Sequence, residues 1–191
     1  DQNSYVICAT RQRSSGSCLK PFIYCQAFDL GLAWPEQIVS DEMLSFSGYQ
    51  PKNNDNQNFK RIAIEDALRL SRNVPAVELR NKIGLNKFEE KMVSLSLLSS
   101  DNTTNSGLSS AIGGISVNLL ALTNAYTVFA RDGNFKQYTW LLNEKKSQTN
   151  RLFTSNSVNR MKQCLIHNES LHFYAKTGTS WGPRDAWCIG Y

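Results

Sequence analysis

Ser17 and Lys20, in the stretch GSCLKPF from Gly16 to Phe22, stand three positions apart. On a helix that spacing puts a hydroxyl and an amine on one face. A lysine acts as a base only when its amine is neutral, and partial burial or a second nearby cation lowers its proton affinity toward that state. Pro21 has no backbone N–H and is tolerated only in a helix's first turn, so a helix containing it begins near Ser17 or Cys18. Ser17 is therefore expected at a helix N-terminus, where unpaired N–H groups can face a developing oxyanion. This is the layout of an activated nucleophile, although a capping serine followed by a surface lysine has the same residues.

Two further stretches carry compatible chemistry. Ile64, Ala67, Leu68 and Ser71 recur at helical spacing, which predicts Ser71 on the apolar face of a helix, pointing inward. Asn73 precedes Val74 and Pro75; the residue before proline avoids helical angles, so the chain is expected to break here and restart with Pro75 in a first turn. Ser71 and Asn73 thus set a hydroxyl and an amide at a helix break. Lys176, Thr177, Gly178 and Thr179 place a cation and two hydroxyls along a strand, with Gly178 leaving room for a ligand lying along its edge.

Helices must position most of these groups. Phe22 to Leu30 is apolar almost all round, the mark of a buried helix, and Gly31 stops it. Gly48 to Lys60 is polar and reads as a long loop. A second helix after the break closes at Gly84, Asn86 to Leu97 is another candidate, and residues 99–110 form a Ser/Asn/Thr-rich loop. Val117 to Gly133 carries an amphipathic helix, Phe135 to Leu142 a short strand, and Thr154 to Asn168 a helix capped by Thr154 or Ser155. The C-terminal end reads as two strands, Leu171 to Ser180 and Asp185 to Tyr191, joined by a turn at Gly182 and Pro183. The pattern predicts an α+β fold with an incomplete sheet, since two strands are not stable alone.

The bulk properties narrow the function. A chain of 191 residues, 41% of them apolar, supports one domain. The net charge of +5 is spread through helical segments rather than gathered in a stripe, so nucleic acid is not expected as a partner. No stretch is long and apolar enough for a membrane span, and Asp1 does not open a signal peptide. Five cysteines (Cys8, Cys18, Cys25, Cys164 and Cys188) form no zinc-like spacing and read as small buried hydrophobes; no metal is expected.

Taken together, RSSGSCLKPFIY, GYQPKNN, ALRLSRNVPAV, AIGGISVNLLALTNAYTVFARDG and KTGTSWGPRDAWCIGY resemble successive landmarks of the transpeptidase domain of class A penicillin-binding proteins. KTGTS followed by WGPRDAW is most similar to the penicillin-binding protein 1C branch. The resemblance implies the serine β-lactamase and transpeptidase fold: a helical region packed on an antiparallel sheet, here expected to be truncated at both ends. It implies one domain over residues 1–191, without the glycosyltransferase domain and membrane anchor of that class.

What the resemblance implies for the site is specific. Ser17 would be the acylated nucleophile and Lys20 its general base, Ser71 a proton relay, Asn73 a holder of the donor peptide's amide, and Lys176 a positive charge near Ser71. Thr177 and Thr179 would bind the substrate carboxylate beside Gly178, and the N–H groups of Ser17 and Thr179 would form the oxyanion hole. The reaction implied is D,D-transpeptidation of peptidoglycan stem peptides, inhibited by β-lactams, with no cofactor, at the outer face of a bacterial cytoplasmic membrane and within a cell-wall synthesis complex. A D,D-carboxypeptidase or β-lactamase-like hydrolase, or a non-catalytic penicillin sensor or scaffold, would keep the same residues. Cys18 stands where the family usually carries threonine or another small residue, beside the nucleophile, and is a candidate for oxidation or modification. Trp181, Arg184 and Asp185 read as turn residues or substrate contacts, and His167 and His172 as surface or packing residues.

Overall fold

A computed structural model of the chain describes residues 7–46, 48–99, 107–141, 144, 147–168, 170, 173–180, 182 and 184–191. Strand β1 (Arg13–Ser14) leads through a 3₁₀ turn (Gly16–Leu19) into α1 (Lys20–Asp29). A pair of short strands, β2 (Ile38–Ser40) and β3 (Arg61–Ala63), brackets the polar loop and precedes α2 (Ile64–Arg69), α3 (Asn73–Ile83) and α4 (Leu85–Ser94). After a 3₁₀ stretch (Gly107–Ile112) come β4 (Ser116–Val117), α5 (Leu119–Ala130), β5 (Asn134–Phe135), β6 (Asn150–Arg151) and α6 (Ser155–Gln163). The chain then forms an antiparallel sheet of β7 (Ile166–Asn168), β8 (Phe173–Thr179) and β9 (Ala186–Gly190) in that order.

α1 is the axis of the core. Pro21 occupies its first turn, and Phe22, Ile23, Tyr24 and Cys25 are fully buried. Phe22 meets Tyr126 edge-on at 5.2 Å and lies 4.8 Å from Phe129, so α5 covers one side. Burying a side chain of that size contributes roughly 1.5–3 kcal/mol, and a helix apolar all round gains this from every face. At its far end, the Asp29 carboxylate accepts from Thr154 N (2.9 Å), Thr154 Oγ1 (2.8 Å) and Ser157 Oγ (2.9 Å), fixing the start of α6. Thr154 is the cap of α6, as its sequence context predicts. Among the described residues no helix is long and apolar enough to cross a membrane.

Several boundaries differ from the sequence reading. Ser17 lies in a 3₁₀ turn ahead of the α-helix rather than in its first turn, because Gly16 enters with φ +52° and tightens the chain. α2 ends at Arg69, so Ser71 is not on its apolar face; it occupies the break with φ +58°, and α3 starts at Asn73, ahead of Pro75. The helix expected through Asn168 stops at Gln163, and Ile166–Asn168 pairs with β8, giving a three-stranded sheet instead of a hairpin. The strand expected from Phe135 begins at Asn134 and is two residues long; Leu142 lies outside the described residues. Asp1, most of the 99–110 loop, His172, Trp181 and Pro183 also lie outside them, while His167 stacks on Tyr174 at 4.6 Å.

Candidate active site

Four segments converge where the 3₁₀ turn meets β8. Tyr126 of α5 donates its hydroxyl to the Cys18 carbonyl (2.7 Å), and Trp187 of β9 donates its indole N–H to the Ser14 carbonyl (2.8 Å), so the turn carrying Ser17 is pinned from both sides. Gly16 packs directly on Thr179: a Cβ there would stand 2.7–2.9 Å from its backbone. Gly178 packs on the other end of the turn, where a Cβ would meet Cys18 Sγ at 2.7 Å and Cys18 N and Ser15 O at 3.1 Å. The glycine is thus required by strand-to-turn packing, not by ligand clearance as its sequence context suggests. Gly178→Ala is expected to overpack this contact and cost roughly 1–3 kcal/mol, with a partial recovery of melting temperature when Cys18→Ala is added. An unchanged melting temperature in the single variant would contradict the contact.

Lys20 is completely buried, and its ammonium donates to Ser71 O (2.7 Å) and Asn73 Oδ1 (2.7 Å), with Ser71 Oγ at 3.5 Å. Lys176, 2% exposed, donates to Ser71 Oγ (2.8 Å) and to the Thr177 carbonyl (2.8 Å). Ser71 therefore sits between two amines. The short spacing from Ser17 to Lys20 does not produce a hydrogen bond: Lys20 is engaged by Ser71 and Asn73, and the Ser17 hydroxyl stands outside the network. Burial holds the Lys20 amine well below its ordinary value near 10.5, and the charges of Lys176 and Arg72 push the same way. Burial also brings Lys176 down to about 8. Two adjacent lysines in a buried site each disfavour the other's charge, which lowers the hold of the pair on its protons.

Among the described residues, β8 is paired along only part of one edge. Tyr174 and Tyr191 exchange both backbone hydrogen bonds and Ser180 N donates to Asp185 O, so by antiparallel alternation the N–H and C=O groups of Thr177 and Thr179 turn away from β9. On that side β7 covers β8 only from Phe173 to Ala175. Ser17 N, at the start of the 3₁₀ turn, has no backbone partner among the described residues. The N–H of Ser17 and the outer edge of Thr177 and Thr179 thus lack backbone partners among the described residues, and the side chains of Thr177 and Thr179 are exposed. Cys18 is not placed for oxidation: it is fully buried, and burial pushes its thiol up to about 12, away from the reactive thiolate.

The sequence reading misses the frame behind this site. Asn53, 4% exposed, accepts from Asn73 N (2.8 Å) and donates to Asp41 Oδ1 (3.0 Å), and Asn73 Nδ2 donates to Lys52 O (2.6 Å). The signal was present: a run of asparagines in a polar loop supplies both donors and acceptors to a helix break. Asp185 is not a free turn residue; it pairs with Arg13 at 2.8 Å and bounds a cavity of about 630 Å³ with Ser14, Ser116, Ser180 and the exposed Arg184.

Comparison with known proteins gives concordant results. The family described as "Penicillin binding protein transpeptidase domain" matches residues 2–182. Penicillin-binding protein 1C of Escherichia coli is 32% identical over 188 residues, covering 93% of this chain and 24% of that protein. Penicillin-binding protein 1F of Bacillus subtilis is 26% identical, covering 95% of this chain and 29% of its own. The chain spans about a quarter of the length of these relatives. A peptidoglycan glycosyltransferase from Burkholderia ambifaria superposes with a TM-score of 0.79 at 18% identity, over 99% of this chain and 71% of its own. That likeness is one of fold.

Proposed function

Since the chain belongs to the penicillin-binding protein transpeptidase family, we propose that it performs D,D-transpeptidase acyl transfer on peptidoglycan stem peptides through an ester on Ser17. The observation that carries this reading is the convergence of Lys20 and Lys176 on Ser71, next to the Ser17 turn and the open edge of β8. A donor peptide adds along Thr177–Thr179 as an extra strand, with its terminal carboxylate near Lys176 and the threonine hydroxyls. Ser17 Oγ attacks the carbonyl between the two terminal D-alanines while its proton passes to the neutral amine of Lys20. Catalytic hydrogen bonds are often unmade before substrate arrives, so a rotation of the Ser17 hydroxyl toward Lys20 belongs to this step. The oxyanion is held by the N–H groups of Ser17 and Thr179. The C–N bond breaks, the leaving D-alanine amine takes its proton from Ser71, and the lysines replenish that hydroxyl. An acceptor amine then attacks the ester, forming the new amide and restoring Ser17.

A β-lactam enters by the same attack, but its leaving nitrogen remains tethered and the ester persists. The reading places the reaction at the outer face of a bacterial cytoplasmic membrane, where its substrate lies. The test is intact mass after incubation with benzylpenicillin, followed by a D-alanyl-D-alanine peptide with a D-amino acid as acceptor. The expected results are one added penicillin on the peptide containing Ser17, and exchange of the terminal D-alanine for the acceptor. Turnover of penicillin without an adduct, or release of D-alanine without exchange, would assign a hydrolase instead.

A further inference from the structure

Ser71 and Asn73 both contact the Lys20 amine, and the residue between them has a separate, buried set of partners. The Arg72 guanidinium, 5% exposed, donates to Asp41 Oδ2 (2.8 Å), to Asp55 Oδ2 (2.7 Å) and to the Gln57 carbonyl, and lies 4.9 Å over the Phe59 ring. Asp41 is fully buried, and its second oxygen accepts from Asn53, which in turn receives Asn73 N. The hydrogen bonds therefore close a ring around the Ser71–Asn73 corner. Ser71 itself holds φ +58°, a conformation that costs a side-chain-bearing residue about 1–2 kcal/mol. Two backbone bonds, Ser71 N to Leu68 O (3.0 Å) and Arg72 N to Ala67 O (2.8 Å), fix its N-terminal side. Arg72 and Asn73 fix the other.

A buried ion pair is weak evidence for stability, since apolar residues of similar volume often serve a fold as well. A fork with three acceptors and a permanent charge does what an apolar side chain cannot. We propose that Arg72, held by Asp41, is a positioning residue for the acyl transfer assigned above: it locks the Ser71–Asn73 corner and stands as the fixed positive charge behind Lys20. The proposal rests on the reading of Lys20 as base. Lys20 is faced by Lys176 from β8, by Arg72 and Asp41 across the corner, by Cys18 on its own turn, and by the oxygens of Ser71 and Asn73. Arg72 and Asp41 act on it with opposite signs.

That opposition gives a test that a scaffold role would not pass. Acylation of the full chain by a fluorescent penicillin is followed from about pH 5 to about pH 10 for wild type, Arg72→Gln, Asp41→Asn and Arg72→Lys, with thermal melts alongside. Without the Arg72 charge Lys20 keeps its proton to higher pH, so the acid limb of the Arg72→Gln profile is expected to move up by about half a unit or more. In Asp41→Asn the negative charge that favours the protonated Lys20 amine is gone, while Arg72 keeps Asp55, and the limb is expected to move down. Arg72→Lys keeps the charge without the fork; its limb is expected to stay while the rate falls about tenfold as the corner loosens. This variant also carries the test if Arg72→Gln does not fold: a wild-type rate in Arg72→Lys overturns the positioning role. Limbs that stay in place, or move in the same direction, in folded Arg72→Gln and Asp41→Asn overturn the charge role. A Ser17→Ala control separates the two readings, because label persisting there overturns the nucleophile and label lost there leaves only the Arg72 role in question.

Discussion

Ser17→Ala is expected to abolish covalent labelling by penicillin, with no adduct in the intact mass, while the melting temperature stays close to wild type. Ser17 makes no hydrogen bond to the lysines, and its side chain is small, so its removal leaves the Lys20–Asn73 and Lys176–Ser71 contacts in place. The loss is therefore chemical. Without an oxygen at this position no ester forms, and the Ser71 hydroxyl is held between the two lysines, 2.8 Å from Lys176. Ser17→Cys offers a second measure: a thiol keeps a nucleophile at the position, but an oxyanion hole set for an ester receives a longer bond, and labelling is expected to be slow rather than absent. A full-strength adduct in the alanine variant, mapped to Ser71 or elsewhere, would reassign the nucleophile.

Lys20→Arg is expected to slow acylation nearly as much as Lys20→Ala, by roughly a hundredfold or more, the range that a positioned base contributes. Arginine keeps the charge but does not release its proton near neutral pH, so a role in electrostatics alone would spare this variant and a role as base would not. The pH dependence carries the same sign. The neutral amine is the active form, so the wild-type rate should rise with pH as the coupled pair Lys20 and Lys176 loses a proton. It should fall on acidification, because burial has moved both amines below their ordinary value near 10.5 and Lys176 to about 8. Stopped-flow acylation across that window, with a thermal melt to confirm folding, decides the matter. An arginine variant with most of the wild-type rate would leave Lys20 as a source of charge only.

The residue types and their order were legible in the sequence because each obeys a local rule. Pro21 and Pro75 restrict where a helix can start, so each falls in a first turn, and alternation with Gly178 marks a strand; these rules act over a few residues and need no tertiary context. The buried α1, the cap at Thr154 and the C-terminal strands followed in the same way. Short strands such as Arg13–Ser14 and Ile166–Asn168 did not, since two or three residues carry no period of their own and become strands only when a distant partner supplies the hydrogen bonds.

The lysine contacts were decided by the fold. Sequence spacing brings Lys20 beside Ser17, yet the amine bonds Ser71 and Asn73, some fifty positions away, because a buried amine must find acceptors and packing against α3 supplies these. Arg72, Asp41 and Asn53 were legible only as polar residues in or beside a loop; their burial and mutual pairing arise when the loop folds back on the helix break. Sequence alone thus determined which kinds of group stand at the helix start, the helix break and the C-terminal strand, through local backbone rules. Tertiary structure decided which of them touch and how tightly each lysine holds its proton, because desolvation and charge proximity are set by chain segments far apart in sequence.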